Sequence, residues 1–587
     1  MLVYDAPIND FRFLLETFGY ERVAELDEFE QYDIDTIEMM VEQTGNFFRD
    51  EVLPTNSVGD EQGVDFDPET NELKTADGFK EAWEQICANG YLGITTPVKY
   101  GGSGGPYTLG TLLGEISTAC NKSLSMFGGL SKGLTVALLE NATEEQKETF
   151  VPKLATGEWG ATMALTEPHC GTDLGLIRTK AEPNDDDSYE ISGNKIWITS
   201  GEHDLTDNIL HFVLAKLPDA PEGTHGISAF IVPKYLPDGE RNDVYCVGVE
   251  HKMGIHGSPT CEMSFEGAKG WMVGEPHEGM KSMFVMMNEA RLKVGLEGVA
   301  LSEISYQTAL AWAKDRRQSR SLDPDKRDED HKADPIMVHP DVRRMLANIK
   351  ASTQGIRALG VWVAIEMDLA HSHPDEEVRQ EAEDIVALLT PIIKSYGTER
   401  GFDNVSEALQ VTGGSGYTKD MHIEQYLRDM RIAMIYEGTN HIQALDLVGR
   451  KLTRENGRLF RIFQSRITEL IKSSSDIDGM EEFLEPLKKA SKQLTELTMN
   501  LGAKAAEDRE IAGAVASNYL NHFALTAIAY CWARQMKYAI ENDVDGKETK
   551  RKTARYFFEM ILPEIETLKN VVEKGKEPMM AFDVEEF

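Results

Sequence analysis

The pattern of apolar and polar positions changes twice along the chain. Between about residues 35 and 160, apolar residues recur at helical spacing, as in the Phe79–Ile86 segment. From residue 161 to 285 the pattern becomes short runs rich in β-branched and aromatic residues, separated by Gly, Pro, Asn and Asp, which predicts strands and turns. Helical spacing returns from Met286 onward. Because helices and strands are segregated rather than alternating, the sequence predicts an α+β fold.

These changes divide the chain into predicted segments, and the last one carries a clear apolar seam. The segments are a 1–34 N-terminal extension, a 35–160 N-terminal helical domain, a 161–285 middle β-barrel or sandwich domain, a 286–450 C-terminal four-helix bundle and a 451–587 additional helical domain. In the additional domain an apolar residue recurs every three or four positions, at Phe483, Leu487, Ala490, Leu494 and Leu497. Such a seam requires a partner helix, and the runs 518–533 and 556–568 are candidates. We therefore interpret this domain as one for packing and assembly.

Composition excludes several classes of protein. The 587 residues include 60 Lys and Arg against 99 Asp and Glu, a net charge of −39, which argues against nucleic-acid binding and attachment to anionic membranes. The six cysteines are far apart and form no C-x-x-C pair, so we predict no disulfide framework and no structural zinc site. We expect no other metal site. Acidic residues stand where a signal peptide requires basic ones, and no run approaches the roughly 20 apolar residues of a membrane span. We expect a cytoplasmic protein.

Several common catalytic motifs are absent from this sequence or lack the structural context that they require. It contains no G-x-x-x-x-G-K-[ST] phosphate loop, and no G-x-G-x-x-G follows a predicted strand and opens a helix. The GGSGY run at 413–417 resembles a serine-hydrolase elbow in letters only, because it lacks the strand–turn–helix context. Kinase, dinucleotide-binding and serine-hydrolase functions are therefore not indicated.

Three segments together indicate a different chemistry. They are MALTEPHCGTDLG at 163–175, KIWITSG at 195–201 and MIYEGTNHIQALDLVGRK at 434–451. In this order they resemble the pattern of the acyl-CoA dehydrogenase family, over roughly residues 35–450. Each segment alone is weak evidence for this resemblance, whereas the three segments together are specific to the family. TSGEHDLT, HKMGIHGSPTC and MMNEARL resemble most a longer subgroup, which has an N-terminal extension and an additional C-terminal helical domain.

The resemblance implies a base and an electron acceptor. A thioester α-hydrogen is weakly acidic, so its removal requires a positioned carboxylate, with an electron sink facing Cβ. The family resemblance implies that FAD is this sink and that Glu437, on the IYEGT helix, is the base. Gly438 matches a position beside the substrate thioester, whose oxygen would be bonded by the Glu437 N–H and a flavin ribityl hydroxyl. An apolar pocket should raise the pKa of Glu437 towards neutrality.

The resemblance also assigns cofactor contacts in the predicted β domain. These residues are Met163, Leu165, Thr166, Gly171, Thr172, Trp197 and Thr199. The apolar ones among them would pack on the flavin ring, two threonines would bond its polar rim, and Trp197 would shield its N5 position. Thr172 and Gly171 match positions at the CoA arm and the diphosphate. His169 and Cys170 depart from the family pattern, in which a glycine and a small residue are common.

Further matches lie in the predicted helical bundle. Cofactor contacts are implied for Arg316, Gln410, Val411, Thr412, Gly413, Gly414, Thr439 and His441. Part of the cofactor is expected to be held by a neighbouring subunit, which implies a homodimer or a dimer of dimers. Arg291 matches a substrate-side arginine, although an ordinary helix salt bridge explains it equally well. The charged 320–335 loop could reach the CoA phosphates through Arg320, Lys326 and Arg327.

The resemblance implies dehydrogenation of an acyl-CoA to a trans-2-enoyl-CoA, with electrons passed to an electron-transferring flavoprotein. A fatty acyl-CoA is the favoured substrate, and the alternative is 3-methylmercaptopropionyl-CoA, whose acyl chain has a similar size. Two other functions remain open. One is an oxidase that reacts directly with oxygen, and the other is a catalytically silent flavoprotein scaffold whose additional C-terminal domain is the functional part.

Overall fold

The computed structural model describes residues 2–587, apart from the side chains of residues 285 and 288. The helices are α1 (Ile8–Phe18), α2 (Glu21–Ala24), α3 (Ile34–Phe47), α4 (Leu53–Gln62), α5 (Phe79–Ala88), α6 (Tyr107–Cys120), α7 (Lys122–Asn141), α8 (Glu144–Thr156), α9 (Gly279–Asp315), α10 (Pro340–Ser372), α11 (Glu376–Thr412), α12 (Gly414–Tyr417), α13 (Ile423–Arg431), α14 (Asn440–Asp446), α15 (Arg458–Ser474), α16 (Glu481–Glu507), α17 (Arg509–Glu541), α18 (Lys547–Tyr556), α19 (Glu564–Lys574) and α20 (Glu577–Met580). The strands are β1 (Asp65–Asp67), β2 (Glu72–Lys74), β3 (Trp159–Ala164), β4 (Lys180–Pro183), β5 (Tyr189–Thr199), β6 (Asn208–Lys216), β7 (Ile227–Pro233), β8 (Val244–Val249) and β9 (Thr260–Val273).

The chain divides into two compact units. One comprises Gln43–Ala290, and the other combines the residues up to Glu42 with Arg291–Phe587. The described part of the chain has no helix that combines the length and apolar character needed to cross a bilayer. Segregated helices and strands are present as predicted, so the α+β class is confirmed.

In the Gln43–Ala290 unit the main sheet closes into a barrel. Strand β6 pairs with β7, β7 with β9, β9 with β5 and β5 with β4, while β4 returns to β6 through the Lys180–Lys216 pair. Strand β3 extends the sheet beside β6 in parallel register, with Met163 opposite Phe212, and β8 pairs with β9. This ring confirms the predicted middle β domain and shows it to be a barrel. Closure removes the exposed edges that an open sheet would leave.

The barrel has apolar packing on both faces of its strands. Strand β6 is buried along its length from Asn208 to Ala215, which explains why its sequence lacks a polar alternation. One face packs with helices α7 and α8 through Leu138, Phe150 and Phe212. The opposite face contributes a second cluster, which includes Ile191, Ile198, Val213, Val232, Val244 and Phe265.

In the other unit, helix α16 confirms the seam predicted for the additional domain. Its five seam residues, Phe483, Leu487, Ala490, Leu494 and Leu497, are all buried. Helix α16 packs against α17 and α19. Helix α17 contains the predicted partner run 518–533, and the run 556–568 extends into α19.

Helices α9 and α11 of this unit cross at a contact made by glycines. A Cβ atom on Gly298 would overlap the carbonyl oxygen of Gly397, and one on Gly295 would lie 2.7 Å from the oxygen of Ile393. A Cβ on Gly401 would lie 2.5 Å from the Cα of Gly298. Because these positions have no side chain, the two backbones approach closely, and this fixes where α11 lies relative to α9.

The N-terminal segment is tied to the additional C-terminal helices. Asp10 on α1 forms ion pairs with Arg357 on α10, at 2.8 Å, and with Lys550 on α18. Arg534 on α17 donates to the carbonyl of Thr17 at 2.8 Å. The two ends of the chain therefore belong to one body, a long-range arrangement that periodicity alone does not reveal.

Candidate active site

Glu437 lies in a short turn between two helical segments. A 3₁₀ turn ends at Met434, and α14 begins only at Asn440, so the residue precedes the helix instead of lying within it, contrary to the prediction. Its φ angle is +57° and that of Gly438 is +79°. A left-handed conformation costs a non-glycine residue about 1–3 kcal/mol, so surrounding contacts must hold it there.

Two side chains hold this turn. Gln443 donates through Nε2 to the carbonyl oxygens of Glu437, at 3.1 Å, and of Gly438, at 3.2 Å. Lys394 on α11 donates through Nζ to the same Gly438 oxygen at 2.7 Å and to Asn440 Oδ1 at 3.0 Å. A Cβ on Gly438 would lie 2.9 Å from Gln443 Nε2. Glycine therefore suits this position both for its φ angle and for lack of space.

The Glu437 carboxyl group has the properties of a general base near neutral pH. Its Oε2 atom is shielded from solvent and accepts no hydrogen bond from the described residues. Burial raises the pKa of Glu437 to about 7, against the opposing charges of Arg291 and Lys394, while Glu297 raises it further. Burial likewise lowers the pKa of Lys394 to about 8. A carboxylate poised near neutrality with a vacant lone pair can accept a proton.

Arg291 forms the helix salt bridge that its sequence allowed, and its match to a substrate-side arginine stays a prediction. It is buried, and its Nη1 atom lies 3.5 Å from Asp446 Oδ2 on α14. Asp446 also pairs with Arg450 at 2.8 Å. Burial lowers the pKa of Arg291, and the charges of Asp446 and Glu437 raise it. The residue thus forms a helix salt bridge and also places a positive charge near the carboxyl group of Glu437.

Thr439 and His441 begin α14. Thr439 is the N-cap, because its Oγ1 accepts a hydrogen bond from the Ile442 N–H at 3.3 Å. His441 is exposed, and its Nδ1 lies 3.0 Å from Ser517 Oγ on α17. In the described conformation His441 therefore contacts the additional helical domain.

The remaining predicted cofactor residues of this unit lie elsewhere. Arg316 follows the end of α9, and 410–414 spans the end of α11 and the start of α12. Both ends contribute to one apolar cluster, which includes Ala313 and Val411. Lys394 and Gln410 are separated by sixteen positions of α11, or about 24 Å. One chain therefore brings the end of α9, which Arg316 follows, close to the end of α11, but it does not bring the 410–414 segment to the Glu437 turn.

The basic residues of the 320–335 loop are bound within the loop itself. Arg320 donates to the carbonyl of Asp328 at 2.9 Å, and Arg327 donates to the carbonyl of Ser321 at 3.0 Å. Lys326 pairs with Asp323 at 3.0 Å. Contact with CoA phosphates would require these side chains to exchange local partners, so the structure lends that hypothesis no support.

In the barrel unit, Trp197 is presented to solvent by a distorted strand. The register of β5 against β9 shifts between Lys195 and Ile198. Within this bulge Trp197 has φ +60°, and 61% of its surface is exposed. A large aromatic ring held outward by an unfavourable backbone conformation is a suitable platform for a planar ligand.

A buried ion pair connects this strand to the TEP segment. Lys195 Nζ lies 2.9 Å from Glu167 Oε1 and donates to the carbonyl of Leu165 at 3.0 Å. The Ile196 N–H donates to the carbonyl of Thr166 at 2.9 Å. The structure thus places Leu165 and Thr166 beside the Trp197 bulge. We did not predict the pair, whose signal is the lysine of the KIWITSG motif and the glutamate of the TEP segment.

The other predicted residues of the barrel unit lie on the same strands and loop. Half-buried positions are Met163 at the end of β3, Leu165 and Thr166 in the following loop, and Thr199 at the end of β5, whereas Gly171 and Thr172 are exposed. In this loop the ligand atoms of Glu167, His169 and Cys170 lie within 4.8 Å of one another. The carboxylate of Glu167 already accepts from Thr179 Oγ1 at 2.6 Å, besides its bond to lysine. The absence of a metal site stays a prediction.

Comparison with known proteins places this geometry in a family. Four family models match consecutive parts of the chain. They are the acyl-CoA dehydrogenase N-terminal domain at 35–158, middle domain at 162–268 and C-terminal domain at 277–452, and an acetyl-CoA dehydrogenase C-terminal-like domain at 463–583. The chain is 40% identical to 3-methylmercaptopropionyl-CoA dehydrogenase of Ruegeria pomeroyi, over 79% of each chain. The chain belongs to the acyl-CoA dehydrogenase family.

One more relative and one solved structure are similar to this acyl-CoA dehydrogenase family member over most of its length. It is 36% identical to the broad-specificity linear acyl-CoA dehydrogenase FadE5 of Mycobacterium tuberculosis, over 80% of this chain and 79% of that one. Its fold is similar to that of an acyl-CoA dehydrogenase from Bacillus anthracis complexed with FAD, with a TM-score of 0.74, 24% identity and coverage of 94% and 90%. The match thus includes the helices beyond residue 452.

Proposed function

We propose that this protein is an FAD-dependent acyl-CoA dehydrogenase with Glu437 as the catalytic base. The observation that carries the proposal is the Glu437 carboxyl group itself. Its Oε2 is shielded and accepts no hydrogen bond from the residues described, and burial raises its pKa to about 7. The surrounding family motif and the strained turn support a functional origin for these properties.

The reaction forms a carbon–carbon double bond between Cα and Cβ of the acyl group. Glu437 removes the pro-R proton from Cα, and the product is a trans-2-enoyl-CoA. The backbone N–H of Glu437 donates to the thioester oxygen, where negative charge develops as the proton leaves. FAD, when bound, would accept the hydride that leaves Cβ. Gly438, which matches a position beside the thioester, has no room for a side chain because Gln443 Nε2 would lie 2.9 Å from its Cβ.

The residues of the barrel unit fit a flavin. The exposed ring of Trp197 and the half-buried side chains of Met163 and Leu165 offer apolar surface near the hydroxyls of Thr166 and Thr199. We infer that these five residues hold the isoalloxazine ring. Gly171 and Thr172 would contact the diphosphate and the CoA arm from their exposed loop. Each contact is a proposal carried over from the family.

The separation of the cofactor residues supports a homo-oligomer. Arg316 and the 410–414 segment lie at one end of α11, about 24 Å from Lys394 beside the Glu437 turn. We propose that these residues bind the distal part of FAD held mainly by a second subunit. A homodimer or a dimer of dimers then follows. Wild-type protein that retains FAD as a monomer would contradict this proposal.

We propose a straight-chain fatty acyl-CoA as substrate. Similarity to a broad-specificity linear acyl-CoA dehydrogenase supports this choice. The higher identity to a 3-methylmercaptopropionyl-CoA dehydrogenase makes that thioether substrate the second candidate. One methylene group in an apolar pocket is worth only about 1–3 kcal/mol, so a single site could accept both acyl groups. An electron-transferring flavoprotein is the proposed electron acceptor, and cytoplasm is the proposed compartment.

Anaerobic bleaching of the flavin absorbance tests the proposal. Butyryl-, octanoyl-, palmitoyl- and 3-methylmercaptopropionyl-CoA are added separately to the purified protein, and the bleaching rates are ranked. We expect at least one fatty acyl-CoA to bleach the band rapidly, whereas a preference for the thioether substrate would establish the second candidate. A bound flavin that no acyl-CoA reduces, or a protein that cannot bind FAD, would contradict dehydrogenase function. Rapid peroxide release in air would identify an oxidase.

A further inference from the structure

Lys394 is a buried lysine whose ammonium contacts neutral groups. None of its side chain is exposed, and its Nζ atom donates to the Gly438 carbonyl at 2.7 Å and to the Asn440 amide oxygen at 3.0 Å. Neither acceptor is a carboxylate. An ammonium group is costly to bury without a charged partner, and lysine is among the residues least often fully buried. A site that tolerates this cost has a use for the positive charge or for its fixed donors.

We propose that Lys394 is a positioning residue for the base, because it fixes the Glu437–Gly438 turn and favours the ionised carboxylate of Glu437. The inference rests on the proposed function, since it assigns how the base of that reaction is held. Lys394 is not proposed to touch the substrate. Its two acceptors belong to Gly438, directly after the base, and to Asn440, the first residue of α14.

The geometry connects the turn to a fixed part of the bundle. Asn440 Oδ1 also accepts from Thr398 Oγ1 at 3.2 Å, and Asn440 Nδ2 donates to the Ser395 carbonyl at 3.2 Å. Three neighbouring residues of α11 therefore hold the start of α14. Helix α11 is itself fixed against α9 by the glycine crossing, whose contacts run along α11 from Ile393 to Gly401. The base is thus positioned relative to a rigid helix pair.

Charges from both helices act on the carboxyl group of Glu437. From α9, Arg291 lowers its pKa and Glu297 raises it, and from α11 Lys394 lowers it. Glu297 also accepts a hydrogen bond from the hydroxyl of Tyr436 at 2.6 Å, directly before the base. Among the described groups that act on this carboxyl group, removal of Lys394 leaves Arg291 alone to oppose Glu297 and the effect of burial. Ionisation of Glu437 then requires a higher pH.

Two substitutions separate the role of the charge from that of the donors. Lys394→Met removes both, whereas Lys394→Gln removes the charge but retains an amide that can donate towards the turn. We expect both variants to shift the acidic limb of the flavin-reduction profile upward by about one pH unit. Lys394→Met should lose a further factor of about ten in the limiting rate at high pH, because its turn is no longer held. The control Lys350→Met removes a half-buried lysine of α10 and should shift neither quantity.

Infrared difference titration supplies a readout independent of turnover. The carboxyl band assigned to Glu437, by its loss in Glu437→Gln, should titrate at a higher pH in both Lys394 variants than in the wild type. An unchanged titration and an unchanged acidic limb in folded, FAD-containing Lys394→Gln would overturn the inference. If wild-type protein is reduced by no acyl-CoA, the proposed function fails. Normal wild-type reduction with unshifted Lys394 variants rejects the positioning role alone.

Discussion

The Glu437 turn and the Trp197 bulge both hold a non-glycine residue at positive φ, but in opposite surroundings. Glu437 has φ +57° and a carboxyl oxygen shielded from solvent, whereas Trp197 has φ +60° and 61% of its surface exposed. Side chains fix the turn, including a buried lysine and a glutamine. The bulge is supported by a backbone hydrogen bond and the Glu167–Lys195 ion pair.

The difference follows from the chemistry proposed for each site. A carboxylate that acts as a base near neutral pH must be shielded from water, because burial raises the pKa of its carboxyl group. A ring that covers a planar ligand must instead be presented outward, so its support lies beneath it in the strand. Under the proposed function, similar backbone strain serves proton transfer in one unit and ligand contact in the other. Substitutions should affect the two sites in separate measurements.

The largest expected effect belongs to the base. Glu437→Gln should lower the rate of flavin reduction by about 10³- to 10⁴-fold, because no other described group takes over proton removal, while FAD content stays at the wild-type level. Glu399→Gln, a half-buried glutamate of the same unit, is the matched control and should remain within a few fold of wild type. Near wild-type reduction in Glu437→Gln would mean that another base acts.

The second-largest effect concerns the contribution of the Glu167–Lys195 ion pair, which supports the Trp197 bulge, to the free energy of unfolding. Lys195→Met leaves the buried Glu167 carboxylate unpaired and should lower the free energy of unfolding by about 3–5 kcal/mol, measured by urea titration. Lys269→Met breaks a more exposed pair with Asp186 in the same barrel and should cost at most about 1 kcal/mol. Equal losses in the two variants would show that the buried pair has no special structural role.

The smallest expected effect distinguishes the contribution of the Trp197 ring to FAD binding from the cost of its left-handed backbone conformation. Trp197→Ala should weaken FAD binding by about tenfold, or about 1.4 kcal/mol, because the covering ring is lost. Trp197→Gly should lose the same affinity, while its apoprotein should unfold with about 1 kcal/mol more stability than the alanine variant, since glycine tolerates φ +60°. Calorimetry measures the stability of the two apoproteins, and FAD titration measures their affinity for the cofactor. Unchanged FAD affinity in both variants would remove Trp197 from the cofactor site.

Much of the fold and many candidate site residues could be predicted from the sequence, but the contacts that hold these residues in place could not. Runs of β-branched residues located the strands of the barrel, and the spacing of Leu487 and Leu494 located a buried seam. The left-handed angles at Glu437 and Trp197 were unpredictable, because local propensity disfavours them and tertiary contacts impose them. Lys394 gave no motif signal either. Its role depends on the crossing of α9 and α11, a contact between residues about a hundred positions apart.

The pH dependence of anaerobic flavin reduction, measured with the best acyl-CoA substrate, tests the central claim most directly. Glu437 acts as a base only when ionised, so a raised pKa places the loss of activity at a higher pH than for an ordinary glutamate. The limiting rate should rise with pH through a midpoint near the pKa of about 7 and then level off. A midpoint near 4.5, the ordinary value for a glutamate, would contradict the account of a buried, charge-balanced base.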